Sequence, residues 1–384
     1  MIRFLACIFL LYCFTIGCSQ PGKKIVMGDE QIADIARKLQ GKRVGLLVNH
    51  TAMVGKTHLA DTLLAVHVNV VKLFAPEHGV RGKADAGEWV ADAKDEATGL
   101  PVVSLYTKTH KPTPEQLSDV DVVVFDIQDV GTRFYTYLGS MTYMMEACAE
   151  QGKKMMVLDR PNPNGSYVDG PVLKPEFKSF IGMHPVPVVH GMTVGEYAQM
   201  INGQGWLKDG LKCELEVISM KNYSHNLPFS VPVKPSPNLP NDHAIALYPS
   251  ICFFEGTAMS LGRGTQFPFE VLGSPELKDQ PFQFTPVSIE GMAKTPPHEN
   301  KVCYGIDLRN EPVEKRVSLK HLIHFYQIYP DKENFFLKFF TLLAGNTELK
   351  EQIISGMSED QIRATWQKDL DTYKKMRKQY LLYP

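Results

Sequence analysis

From Lys42 to about Ser219, short apolar runs rich in β-branched residues alternate with longer amphipathic stretches. The short runs are Val44 to Val48, Val68 to Ala75, Val102 to Leu105, Val120 to Phe125, Met155 to Leu158 and Val186 to Val189. Several are apolar at nearly every position, as strands buried on both faces should be. Between them, His58 to Ala65, Thr136 to Gln151 and Val194 to Gly203 predict helices. The last opens on Thr193-Val194-Gly195-Glu196, a capping box. This alternation predicts an α/β fold with a largely parallel sheet covered by helices.

The pattern changes near Lys234. Pro235, Pro237, Pro240 and Pro249 break regular structure, and Asn238, Asn241 and Asp242 favour turns. A glycine-rich loop and a proline-rich stretch from Pro281 to Pro297 follow. Ser318 to Tyr329, Lys332 to Leu343 and Asp360 to Tyr380 then read as helices, with a second capping box at Ser358 to Gln361. A domain boundary is expected near residue 235, dividing 21–235 from a smaller α+β domain at 236–384.

Residues 1–20 carry another signature. Arg3 precedes an apolar run from Phe4 to Ile16, and a small residue, Gly17, precedes Cys18. The run is shorter than the roughly 18 to 20 residues of a spanning helix, so it predicts a signal peptide. Thr15-Ile16-Gly17-Cys18 looks like a loose bacterial lipobox, which makes Cys18 a candidate lipid anchor. The expected location is the periplasm, or the membrane surface for a lipoprotein.

Charge and motifs narrow the chemistry. The formal net charge is -1 with no large basic block, so nothing supports a nucleic-acid partner. No G-x-G-x-x-G follows the first strand and no G-x-x-x-x-G-K-[ST] occurs, so a nucleotide ligand is not expected. No G-x-S-x-G nucleophile elbow is present. Cys148, Cys213, Cys252 and Cys303 are too widely spaced for a zinc ligand pair and read as buried free thiols.

Most apolar runs end in a polar cluster. They are Asn49-His50-Thr51, Pro76-Glu77-His78-Gly79, Asp126 to Tyr135, Asp159-Arg160-Pro161-Asn162 and His190-Gly191-Met192-Thr193. Parallel strands would gather all five on one rim, where open α/β sheets bind ligands. Two chemistries fit. One is carboxylate acid–base hydrolysis, with Glu77 as the acid and Asp126, Asp129, Asp159 or Glu255 as the second group. The other is metal hydrolysis through Glu77, His78, Asp126 and His190, although no H-E-x-x-H or close His pair is present. A further constellation, Phe254 to Thr265, combines Glu255 and Arg263 with glycines that permit close backbone approach. Arg263 can hold a carboxylate through two parallel hydrogen bonds.

The chain resembles the bacterial exo-β-N-acetylmuramidase family of glycoside hydrolases, long catalogued as a domain of unknown function. The resemblance runs from about Gly41 to the C-terminus. It is carried by Gly45 to Thr51, Phe74-Ala75-Pro76-Glu77-His78-Gly79-Val80-Arg81-Gly82, Phe125 to Tyr137, Leu158 to Pro163, Ser236-Pro237-Asn238-Leu239-Pro240 and Phe254 to Thr265.

The resemblance implies a Rossmann-like N-terminal domain without a dinucleotide and an active site in the cleft with the smaller domain. It implies release of terminal β-linked N-acetylmuramic acid from muropeptides or disaccharides, with a catalytic glutamate at Glu77 and no cofactor or metal. Asp126 or Asp159 would aid the oxocarbenium-like transition state, and His78 would orient Glu77 or bond a substrate hydroxyl. Arg263 or Arg133 would face the lactyl carboxylate. Asn49, Gln128, Tyr135, Asn162, His190, Asn238, Glu255 and Thr265 complete the expected substrate contacts. The competing expectations are a non-catalytic lipoprotein that binds muropeptides or sugars, and a metal-dependent envelope hydrolase.

Overall fold

A computed structural model describes residues 23–77, 79–82, 93–106 and 109–384. Residues 1–20, expected to be a signal peptide, with Cys18 among them, and His78 lie outside the described residues.

The main sheet runs Glu214–Ile218, Lys154–Leu158, Val122–Asp126, Val44–Val48, Val70–Ala75, Pro101–Ser104, Ala93–Lys94. Six of these strands are parallel, and the short Ala93–Lys94 edge is antiparallel. The chain starts in the middle at Val44–Val48, builds outward through Val70–Ala75 and Pro101–Ser104, then crosses back to Val122–Asp126 on the other side. The sheet is therefore doubly wound, with its switch point between Val44–Val48 and Val122–Asp126. The crevice outside the carboxyl ends there is where such sheets take ligands. The expected α/β architecture holds, including a second, smaller domain with its own antiparallel sheet, Val271–Ser274, Cys303–Asp307 and Phe282–Phe284.

The structure corrects several expected elements. Val186 to Val189 is not a parallel strand: Pro187–Val189 pairs antiparallel with Asp169–Val172 in a separate two-stranded sheet. The sixth parallel strand is Glu214–Ile218, an edge whose Glu216 pairs with Lys38 and Lys154. Its polar alternation hides it from a search for apolar runs. Pro249 does not break structure but lies inside the helix Asp242–Ile251. The carbonyl of Ile245, which a residue with an N–H at 249 would bond, accepts from Asn164 Nδ2 instead at 3.1 Å. The stretch Lys332 to Leu343 splits into a 3₁₀ turn, Lys332–Asn334, and a short helix, Phe340–Ala344. Asp360 to Tyr380 is divided at Trp366 into Glu359–Thr365 and Gln367–Arg377. Both capping boxes form as expected, at Thr193/Glu196 and Ser358/Gln361. The four cysteines are buried and unpaired.

One hydrophobic core passes from the first domain into the second. It joins Phe125, Met141 and Val188 to Phe253, Phe269, Phe325 and Phe340 without interruption. A smaller core on the other face of the sheet packs Ile35, Leu59 and Leu63 against Leu46, Leu73 and Val124. The C-terminal tail returns to the first domain. Tyr383 donates its hydroxyl to Asp159 Oδ2 at 2.6 Å, and His225 N–H donates to the Pro384 carbonyl at 3.0 Å. The two domains are therefore fixed relative to each other by both core and tail, which gives the cleft between them a defined shape.

Candidate active site

A cavity of about 230 Å³ lies where the two domains meet. The first domain contributes Glu77, Tyr106, Phe134, Tyr135 and Thr136; the connecting segment contributes Ser236 and Asn238; the second contributes Glu255, Arg263 and Phe339.

Glu77 follows Pro76 at the carboxyl end of Val70–Ala75, so the strand delivers it to the rim of the sheet. Thr136 occupies the residue before the helix Tyr137–Glu150, a position where threonine normally caps the helix with its side chain. Here it makes no cap. Its hydroxyl donates to Glu77 Oε2 at 2.9 Å instead. Tyr106 also lies against Glu77. Burial first, and then the Glu77 charge and the hydrogen bond to it, push the Tyr106 phenol well above its ordinary range. Glu77 is only partly buried, so it faces the cavity rather than the core.

The opposite wall is built on Gly262 and Gly264, both with positive φ (87° and 80°). They bracket Arg263 in a tight turn that L-residues with side chains rarely adopt. Arg263 donates from Nε and Nη2 to Glu255 Oε1, at 2.9 and 2.5 Å, and its guanidinium lies 5.3 Å from the centre of the Phe269 ring. Burial works against the charge on Arg263, and Glu255 outweighs that burial and holds its pKa above the ordinary value. Tyr135 fixes the floor: its hydroxyl donates to the Pro235 carbonyl at 2.7 Å, and its ring packs edge-on to Tyr248. Asn238 lines the cavity and donates from Nδ2 to the Met292 carbonyl at 2.7 Å.

Of the expected site residues, the structure brings Glu77, Tyr135, Asn238, Glu255 and Arg263 together around this cavity. The others among the described residues do not line it. Asp126 is fully buried and accepts from Arg160 Nε and Nη2 at 2.5 and 2.9 Å, with Asp29 on the same guanidinium. Asp159 accepts from Thr193 Oγ1, Gly195 N and Tyr383, clamping a helix start and the C-terminal tail. Both carboxylates are thus engaged by these partners, and neither lines the cavity. Arg133 also lies off the cavity lining: Nη1 and Nη2 donate to the carbonyls of Pro171, Val186 and Leu343, and burial lowers its pKa to about 9. Asn49 accepts from Thr51 through Oδ1, and Gln128 donates to the carbonyls of Asp129 and Pro161. Asn162 donates to the Met192 carbonyl, and His190 Nε2 lies 3.7 Å from Asp129. Thr265 closes its own turn on the Gly262 carbonyl. Several of these side chains sit in strand-end loops whose buried backbone groups must be hydrogen-bonded, and the side chains supply those bonds.

Sequence reasoning missed Tyr106, Thr136, Tyr248, Phe269 and Phe339. Thr136 had a readable signal, a helix-start threonine within a polar motif; the aromatic residues are assembled by tertiary packing alone. Among the described residues, no group of three His, Cys, Asp or Glu side chains is placed to hold a metal ion.

Known proteins similar to this chain cover nearly its whole length. The family described as exo-beta-N-acetylmuramidase NamZ, N-terminal, matches residues 44–243, and its C-terminal counterpart matches 246–383. The chain is 40% identical over 381 residues to the peptidoglycan beta-N-acetylmuramidase NamZ of Bacillus subtilis (strain 168), covering 92% of this chain and 90% of that protein. Crystal structures of two DUF1343-family proteins from Bacteroides fragilis NCTC 9343 share the fold. One is 46% identical with a TM-score of 0.88, covering 94% of this chain and 99% of its own. The other is 31% identical with a TM-score of 0.80, covering 95% and 100%. Since both halves are matched in order and nearly the full length aligns with a relative, the chain belongs to the exo-β-N-acetylmuramidase NamZ family.

Proposed function

We propose that this chain is an exo-acting glycoside hydrolase that releases terminal β-linked N-acetylmuramic acid from peptidoglycan fragments, with Glu77 as the proton donor. The observation that carries the assignment is the placement of Glu77 in a small cavity closed by both domains. A pocket of this size suits a single terminal ring rather than a continuous glycan, which is the geometry of exo action.

In its protonated form Glu77 gives its proton to the glycosidic oxygen as the bond to the anomeric carbon breaks and positive charge develops on the ring; a water oxygen then bonds to that carbon, and the proton the water releases restores the acid form of Glu77. Thr136 and Tyr106 hold the carboxyl in one orientation. Glu255 is the second carboxylate on the cavity wall and lies with Arg263 on the side contributed by the other domain. Arg263 supplies the planar fork suited to the lactyl carboxylate that distinguishes muramic acid from glucosamine. Arg160 binds Asp126, and Thr193, Gly195 and Tyr383 bind Asp159, so neither carboxylate takes part in this reading.

The signal-like segment at residues 1–20 and the lipobox-like cysteine support export, with Cys18 carrying a lipid. Metabolic labelling with a radioactive fatty acid tests this: wild type should be labelled and Cys18→Ser should not.

The decisive assay is hydrolysis of a chromogenic N-acetyl-β-muramide by protein lacking residues 1–20. The same glycoside without the lactyl group is the control. Glu77→Gln should lower turnover by about 10²- to 10⁴-fold while leaving sugar binding intact. Full activity in that variant would remove Glu77 as the acid. No hydrolysis of the muramide or of purified muropeptides would leave a sugar-binding protein in place of an enzyme.

A further inference from the structure

A second cavity of about 740 Å³ adjoins the first. Glu255, Arg263 and Phe339 line both, so these three side chains form the sill between them. Glu77 lines only the smaller one. We infer that the larger cavity is the site that holds the leaving glycan, the sugar residues on the reducing side of the bond that is cut. This inference rests on the exo-muramidase reading and adds where the rest of the chain lies.

The argument begins with connectivity. An enzyme that removes one terminal ring needs a closed pocket for that ring and an adjoining space for what remains attached to it. The larger cavity has about three times the volume of the smaller, enough for more than one further ring. Phe339 stands on the sill and is 37% exposed, and Leu337 beside it is 46% exposed. An aromatic face open to solvent at the junction of two sugar-sized spaces is a stacking platform for a pyranose. The lining mixes apolar faces from Met259, Leu261, Pro296 and Leu337 with the exposed hydroxyl-bearing Thr295. That mixture matches the apolar faces and hydroxyl edges of sugar rings.

The charges argue against the other possible occupant, a stem peptide attached to the lactyl group. Such peptides carry several carboxylates. The charged side chains on this lining are Glu255, Arg263 and Lys294, with His298 engaged on the Ala258 carbonyl at 2.9 Å. Glu255 holds Arg263 and Lys294 is itself engaged, so the lining offers one half-satisfied guanidinium rather than the several cations that a peptide's carboxylates would need.

The wall is also preformed. Asn238, which lines the smaller cavity, donates to the Met292 carbonyl on the wall of the larger. Pro296 sits so close to Gly264 that a Cβ there would stand 2.6 Å from its ring. The segment from Met292 to His298 is therefore keyed to the Arg263 turn, and the two cavities hold a fixed relation.

The test compares kcat/KM for the chromogenic muramide with that for peptide-free fragments of two and four sugars ending in N-acetylmuramic acid. A peptide-bearing two-sugar fragment is included. The ratio of four-sugar to chromogenic kcat/KM should fall by about tenfold in Leu337→Asp and in Thr295→Trp, carried by KM. Both substitutions are at exposed positions, so folding is preserved. A wild-type kcat/KM that does not rise with chain length, or a ratio that neither variant moves, overturns the inference while the exo-muramidase reading stands. Variants that change only the peptide-bearing substrate assign the cavity to the stem peptide and overturn it as well. Failure to cleave any muramide sinks both readings together.

Discussion

Arg263 gives Nε and Nη2 to a single oxygen of Glu255, Oε1. Nη1 of the arginine and Oε2 of the glutamate carry no hydrogen bond to any of the described residues. The pair is therefore half-satisfied on each side at the wall of the cavity. That arrangement lets an incoming carboxylate join the guanidinium without first breaking the ion pair.

Replacing Arg263 by Lys keeps the charge and removes the fork. KM for the chromogenic muramide should rise by about tenfold or more, as expected for loss of a charge-assisted hydrogen bond. The glycoside lacking the lactyl group should show no such change. Equal effects on both sugars would mean that Arg263 only braces Glu255.

Thr136 is a positioning residue for Glu77. Thr136→Val should lower kcat by about tenfold, with KM little changed, and Thr136→Ser should restore most of the loss. The split between kcat and KM separates this role from a packing defect, which serine would not rescue. Thermal unfolding of the valine variant should lie close to wild type.

Asp159 and Asp29 set a pH dependence of stability. Burial raises Asp159 from 3.8 to about 6 and Asp29 to about 7, the latter helped by the nearby Asp126 charge. A raised carboxyl binds its proton more tightly in the folded state than in the unfolded one. Its stabilising contribution is therefore present below about pH 4 and is lost as pH rises through the folded value. Denaturant unfolding of wild type and Asp159→Asn should show their stability difference changing between about pH 4 and 6, by about 3 kcal/mol in the direction of a weaker wild type. A difference that stays flat across that range would contradict the assignment.

Gly305 is the central residue of the second domain's sheet, paired with Gly273 on one side and Phe282 on the other. A Cβ there would stand 1.8 Å from the Leu272 carbonyl oxygen. Gly305→Ala should destabilise the protein by about 3 kcal/mol or more, read as a lowered unfolding midpoint. Activity at low temperature should fall with it, because Arg263 packs on the Phe269 ring, two residues before the strand that pairs with Gly305.

What could be read from the chain follows from how strongly local pattern reflects burial. Val44–Val48 and Val122–Asp126 are buried at every position, so their apolar runs announce them. Glu214–Ile218 is an edge strand with exposed and half-buried positions, and its pattern does not. Thr193 and Ser358 form the expected caps because a capping box is a local device. The roles of Asp126 and Asp159 are not legible locally, because a polar residue at a strand end serves equally well as an anchor for buried loops or as a catalytic group. Only the partners distinguish the two, and the side-chain partners lie 34 to 224 positions away in sequence. The aromatic lining of the cavity, Tyr106, Tyr248, Phe269 and Phe339, comes from four separate segments and leaves no local trace.

The bond from Tyr383 to Asp159 joins residues 224 positions apart, and the one from Arg133 to Leu343 spans 210. Contacts of such separation are repaid late, after the entropy of closing a very long loop has been spent. The parallel sheet is complete by Ile218, but the pocket for the sugar needs the second domain docked on its rim. Cutting power is thus a late product of folding: a chain arrested before that docking carries Glu77 on an open edge, with nothing opposite it to hold a muramyl ring.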